Sequence, residues 1–223
     1  MGAVILTIPG PWGKLPTWPS AIPLTHDEAE PGLAGDIKAF ARQAAMVDAL
    51  DMGQIKRHAG IVRALVDFEE EGTLQWATAG AKLMVEAFAA GAPVVLVETA
   101  SKVIDPKGLD GADLTDPVAL VHLYVSVFGD GEQVYTEGLQ VFDLPDVVVS
   151  YRNEAEGVLA QGAAFAYAAL SVCEGLRLSE GGTFTASESA PTYTCAFEAT
   201  TEADLEDDPL ANPRGVWRLT RVS

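Results

Sequence analysis

Basic residues are scarce in this chain: 14 Lys and Arg stand against 32 Asp and Glu, a formal net charge of -18 over 223 residues. Nucleic acid and anionic membrane surfaces both need a basic stripe, so the deficit excludes them as partners. Three histidines (His26, His58 and His122) and two cysteines (Cys173 and Cys195) are all the chain has for imidazole or thiol chemistry. The cysteines lie apart in apolar stretches, which points to buried free thiols rather than a bridge or a metal pair. No apolar run approaches the ~18 residues of a membrane span. Met1 to Ile8 has neither the basic n-region nor the small-residue cleavage site of a signal peptide, and Leu6 stands where an N-myristoylation motif wants Ser or Thr. The chain therefore reads as cytoplasmic. Also missing are a phosphate-cradling glycine loop, G-x-G-x-x-G, H-E-x-x-H, paired C-x-x-C and G-x-S-x-G. No cofactor and no complete catalytic set is indicated, which weighs against an enzyme.

What is present is an ordinary apolar fraction, 48%, under a strongly acidic surface. Spread evenly over the roughly 9,800 Å² expected of a folded chain of this mass, the excess charges would sit ~23 Å apart, beyond the ~8 Å Debye length. Even acidity is thus cheap. Clustered acidity is not, because a focused patch raises the on-rate for a basic partner by roughly 10- to 1,000-fold. Acids gather at Asp27, Glu28 and Glu30, at Glu69 to Glu71, at Asp105, Asp110, Asp113 and Asp116, and at Glu202, Asp204, Glu206, Asp207 and Asp208. The plain alternative is a set of solvated loops that keep the protein soluble. Arg214, Arg218 and Arg221 lie beside the last cluster and would weaken the partner argument if they neutralised it.

Along the chain, Ala3 to Ile8 reads as a buried strand. Residues 9–35 carry six prolines with Gly10, Gly13 and Gly32, a composition that forbids regular structure. Trp12 and Trp18 argue against plain disorder there, either by pinning the loop to the body of the domain or by contacting a partner. Asp36 opens a helix through Leu50 with Gly53 past its end, and Val62 to Phe68 alternate as a strand. Glu69 to Glu71 precede a helix carrying Leu74, Leu83, Met84 and Phe88, and Val94 to Val97 follow as a buried strand. Val121, Leu123, Val125 and Val127 read as a strand, turning at Gly129 to Gly131 into Gln133 to Val141, and Pro145 marks an edge or bulge before Val147. A helix from Glu154 to Glu174 precedes strands at 183–186, 193–199 and 216–222, the last two separated by an acidic loop at 200–213. The expectation is one α+β domain over 1–223: a two-layer sandwich with a largely antiparallel or mixed sheet and two to three helices on one face. Open sheet edges would allow a homodimer.

The candidate chemistry is thin. His26 beside Asp27 and Glu28 could join a metal site, but an exposed polar loop explains it equally well. Ala112 stands where a calcium loop needs an oxygen ligand. His58 is expected to be solvated, and His122 to share a polar sheet face with Tyr124 and Ser126.

Tyr135-Thr136-Glu137-Gly138-Leu139 followed by Phe142-Asp143-Leu144-Pro145-Asp146-Val147 and Val149 resembles the T-x-G-(L/M)…F-G-x-P-E-(L/I)-E-(I/V) block of an uncharacterised bacterial family catalogued as domain of unknown function four-two-six-one. The order of elements after about Ile55 is similar to that family's. Asp143 replaces the usual glycine, and Asp tolerates the left-handed conformation. The resemblance implies a bacterial, cytoplasmic, single-domain protein without an established activity, in which Thr136, Glu137, Gly138 and Pro145 set the fold of a turn and bulge. The favoured reading is a protein-binding module, such as an immunity-type inhibitor or adaptor, meeting a basic toxin or effector with Trp12, Trp18, Asp27, Glu28, Glu30, Asp110, Asp113 and Asp116. The alternatives are a carboxylate-based or metal-dependent hydrolase built on the acidic loops, and a structural domain with no activity.

Overall fold

Residues 3–18, 22–43, 46–67, 73–208 and 211–222 are described by the structure, a computed structural model. They fall into two units, Met1–Leu123 and Tyr124–Ser223, each built on its own sheet. In the first, the uninterrupted apolar run near the amino terminus forms β1 (Ala3–Gly10), where Leu6, Thr7 and Ile8 are wholly buried. Two-sided burial is what a central strand requires. The sheet order places β1 between β3 (Gly60–Asp67) and β4 (Val95–Val97), with β2 (Leu24–Glu28) and β5 (Lys102–Ile104) at the edges. All its pairings are antiparallel.

Helix α1 (Leu33–Gln43) turns Leu33, Ala34, Ile37 and Ala41 to one side. That spacing is a helical stripe, and it meets Ile55, Ile61, Val94, Leu96 and Val103. Each large aliphatic side chain buried in this way contributes roughly 1.5–3 kcal/mol. The helix read from Asp36 to Leu50 is therefore shorter. Residues 47–49 form a 3-10 turn, and Asp51 caps a new helix, α2 (Met52–Lys56), by accepting from Gln54 N at 2.9 Å. Gly53 lies inside that helix because an Asp N-cap outcompetes the glycine stop signal. Helix α3 (Thr73–Ala89) buries Ala77, Ala81, Met84 and Ala87. Phe68 and Glu69 to Glu71 lie outside the described residues.

The valines near residue 120 are not a strand. Pro117 opens helix α4 (Pro117–Tyr124), and Asp116 accepts from Val118 N at 3.0 Å. Pro at the first helical position behind an Asp cap is a start signal strong enough to override β-branched alternation. His122 accordingly sits exposed on a helix, and the sheet face with Tyr124 and Ser126 does not exist.

In the second unit the strands are β6 (Ser126–Gly129), β7 (Gln133–Glu137), β8 (Asp146–Ser150), β9 (Thr183–Thr185), β10 (Thr192–Glu198) and β11 (Val216–Arg221). Their order is β6-β7-β8-β11-β10-β9, antiparallel except for β8 beside β11. Helix α5 (Glu154–Cys173), capped by Asn153, lies on β6, β7 and β8 with Ala160, Ala164, Tyr167 and Ala168 buried. By length and mean hydropathy α5 is the one described helix apolar enough to cross a membrane, a property the sequence reading passed over. Its small residues cover this sheet instead. A short helix, α6 (Glu202–Asp207), occupies part of the expected acidic loop, where Thr201 and Asp204 form a capping box.

The architecture is α+β. Strands expected in one sheet are divided between two, and α2, α4 and α6 raise the helix number above the expected two or three. His58 is buried and not solvated: Nδ1–H donates to the Ile55 carbonyl at 2.8 Å, while Nε2 accepts from Glu30 N at 3.1 Å. Those partners fix the orientation of the ring. Replacing His58 with alanine takes the acceptor from Glu30 N, while the Ile55 carbonyl keeps the backbone N–H of residue 58 at 3.3 Å, and is expected to cost about 1 kcal/mol in urea unfolding.

Candidate functional site

The proline-rich segment is more ordered than its composition suggests. Strand β1 continues through Pro9 to Gly10, opposite Gly60, and β2 recovers Leu24 to Glu28 for the sheet. Trp12 folds back over this register pair. Its indole is buried, occupies the space where a Gly10 Cβ would lie, and donates from Nε1 to the Ile8 carbonyl at 3.0 Å. The Trp12 carbonyl is held by His26 Nε2 at 3.0 Å. Trp18 is half-buried and meets Trp12 edge-on, with ring centroids 5.1 Å apart. Trp12 is thus a pin for its own loop, and it also lines a surface cleft with Pro11, Lys14 and Pro16.

The acids separate into spent and open groups. Arg63 on β3 pairs with Asp27 and with Glu30, the latter at 3.1 Å, so one guanidinium takes up two of the three acids in that cluster. Glu28 ends β2 and is exposed. Between 105 and 116, the carboxylates of Asp105, Asp113 and Asp116 make turns or caps. Buried Asp105 accepts from Gly108 N at 2.9 Å, and Asp113 accepts from Thr115 N at 2.9 Å and Thr115 Oγ1 at 2.6 Å. The Thr115 bonds hold the Asp113 carboxyl below its ordinary range. Asp110, Asp113 and Asp116 remain exposed, and among the described residues none of them enters an ion pair. The carboxy-terminal arginines point elsewhere than the 202–208 acids: Arg214 to Asp143, Arg218 to Glu198 at 2.5 Å and Arg221 to Glu156 at 3.0 Å. Among the described residues no group of three His, Cys, Asp or Glu is placed to hold a metal ion.

The block around residue 140 closes on a buried polar knot. Asp146 Oδ1 accepts from Thr136 Oγ1 at 2.7 Å and from Leu139 N at 3.3 Å, while Oδ2 accepts from Asn212 Nδ2 at 2.7 Å. Thr136 Oγ1 in turn accepts from Val147 N at 2.9 Å, and Asn212 Nδ2 also reaches the Leu144 carbonyl at 2.9 Å. Burial pushes the Asp146 carboxyl up to about 7, against the three hydrogen bonds that favour its charged form. Gly138 and Asp143 both take positive φ, 105° and 59°, which satisfies the chain reversal between β7 and β8. Every oxygen of Asp146 faces a donor inside the protein, so the knot is architecture.

One concave feature of the first unit escaped the sequence reading. A cleft of about 350 Å³ is lined by Met46, Lys102, Val103, Ile104, Ala119 and Leu123, among others. The Lys102 ammonium donates to the carbonyl of His122, which also lines the cleft. Burial lowers the Lys102 amine to about 8. No sequence motif marks Lys102, whose setting comes from the meeting of β5 with the end of α4. No family model, curated protein or solved structure matches this chain.

Proposed function

We propose that this chain is a protein-binding module that meets a basic partner protein with the acidic loop of residues 105–116, in the manner of an immunity-type inhibitor or adaptor. The observation that carries this reading is the state of Asp110, Asp113 and Asp116: exposed, outside any ion pair among the described residues, and set in a loop whose turns their neighbours and they themselves fix. A charged loop held by its own hydrogen bonds loses little entropy on binding. The segment holds four acids and a single cation, Lys107. Of the residues first singled out, Glu28 belongs with this surface chemistry, while Trp12, Asp27 and Glu30 serve the fold.

The immobilised protein should retain a basic protein from a lysate of its source organism at low salt and release it as ionic strength rises. Asp110→Asn, Asp113→Asn and Asp116→Asn together keep the cap acceptors but remove the charge. That variant should bind the recovered partner with an association rate about tenfold slower. Affinity that is indifferent both to salt and to the triple substitution removes the electrostatic basis of the proposal.

A further inference from the structure

We propose that the cleft between β5 and α4 is a binding site for small apolar aldehydes or ketones, held through a reversible imine to Lys102. Three observations lead there, none of which uses the charge of the acidic loop, although Asp105, Gly108 and Ala112 of that loop line part of the cleft. The cleft has a volume of about 350 Å³, room for a small organic molecule. Its lining is chiefly aliphatic, from Met46, Val103, Ile104, Ala119 and Leu123, so it favours an apolar chain over a sugar or a phosphate. The amine stands in this lining, with its ammonium form anchored on the carbonyl of His122, and Asp105 and His122 are the other titratable groups of the wall.

Lys102 is half-buried, and that burial favours the neutral amine. At pH 7 an amine near 8 is roughly one-tenth unprotonated, against less than about one-thousandth for an ordinary lysine. Lysines desolvated in apolar pockets are the ones that form Schiff bases. In the step proposed, the Lys102 nitrogen lone pair adds to the carbonyl carbon and the C=O π bond breaks. The two amine protons leave with the carbonyl oxygen as water, and a C=N bond remains. Nothing is oxidised or reduced, and water reverses the reaction.

A purely structural role is the competing account, since a lysine donating to a carbonyl in the last turn of a helix is an ordinary C-terminal tether. Trapping distinguishes the two. The intact protein is incubated at pH 7 with butanal and cyanoborohydride, which delivers hydride to an imine, and the butylated lysines are located by peptide mass spectrometry. Lys102 should be modified about tenfold or more faster than Lys14, Lys38, Lys56, Lys82 and Lys107, reflecting its larger neutral fraction. Lys102→Arg keeps the bond to His122 and the positive charge but cannot form the adduct. It should fold normally by circular dichroism and lose the fast modification. Equal rates at all six lysines, or fast butylation that persists in Lys102→Arg, overturns the proposal.

Discussion

Replacing Asp146 with alanine is expected to destabilise the Tyr124–Ser223 unit by roughly 3–5 kcal/mol, because the Thr136 hydroxyl, the Leu139 amide and the Asn212 amide would lose their common acceptor in a site closed to water. Each such orphan costs about 1–3 kcal/mol, and Thr136 recovers part of its loss by rotating. Hydrogen exchange of the β7, β8 and β11 amides is the direct measurement, since it reads this unit separately from the other. The same carboxyl gives stability a particular pH dependence. Its folded pKa, about 7, stands above the ordinary value of 3.8. The folded chain therefore keeps a proton that the unfolded chain releases as pH rises from about 4 to 7. Stability from this group is complete below the lower value, falls through the window with a slope approaching ~1.4 kcal/mol per pH unit, and is flat above the upper one. Asp146→Asn cannot titrate and should lack this component, whatever fixed cost its amide incurs opposite Asn212. An unchanged pH slope in Asp146→Asn would show that another group carries the dependence.

The difference between what could and could not be read from the chain lies in sequence distance. Helix α5, strands β3, β4 and β7, and the left-handed conformation of Asp143 are local matters, settled by periodicity, by Asn153 as a cap, or by the conformational tolerance of Asp. Asp116-Pro117 was an equally local signal for α4, but the alternating valines that follow it share the period of a strand, and periodicity cannot separate the two over so short a stretch. The Asp146 knot depends on Asn212, 66 positions away, and the Lys102 cleft on a meeting of β5 and α4. Neither pairing leaves a trace in spacing. The acidic clusters were visible as composition, yet composition could not tell that Arg63 would take up Asp27 and Glu30 while the carboxyl-terminal arginines would turn to Asp143, Glu198 and Glu156.

Trp12 tests whether the proline-rich turn is scaffold or contact surface. Trp12→Ala should cost about 3–5 kcal/mol, the usual range for removing a buried indole. Trp18→Ala should cost about 1 kcal/mol, because a half-buried ring loses mainly its edge-on contact. Gly60→Ala attacks the same assembly from the sheet side. A methyl group there would lie 2.3 Å from the Trp12 carbonyl oxygen and 2.7 Å from His26 Nε2, so the turn must lift away from β3. If Trp12, Gly10, Gly60 and His26 form one unit, Trp12→Ala and Gly60→Ala will not add, since either change releases the other's constraint. Urea unfolding of the two single variants and the double variant measures this. Additive costs would mean that the turn is held elsewhere. A Trp12→Ala protein of undiminished stability that no longer binds its basic partner would move the indole from the fold to the interface, and the docking surface would then have to extend from the acidic loop to the amino-terminal turn.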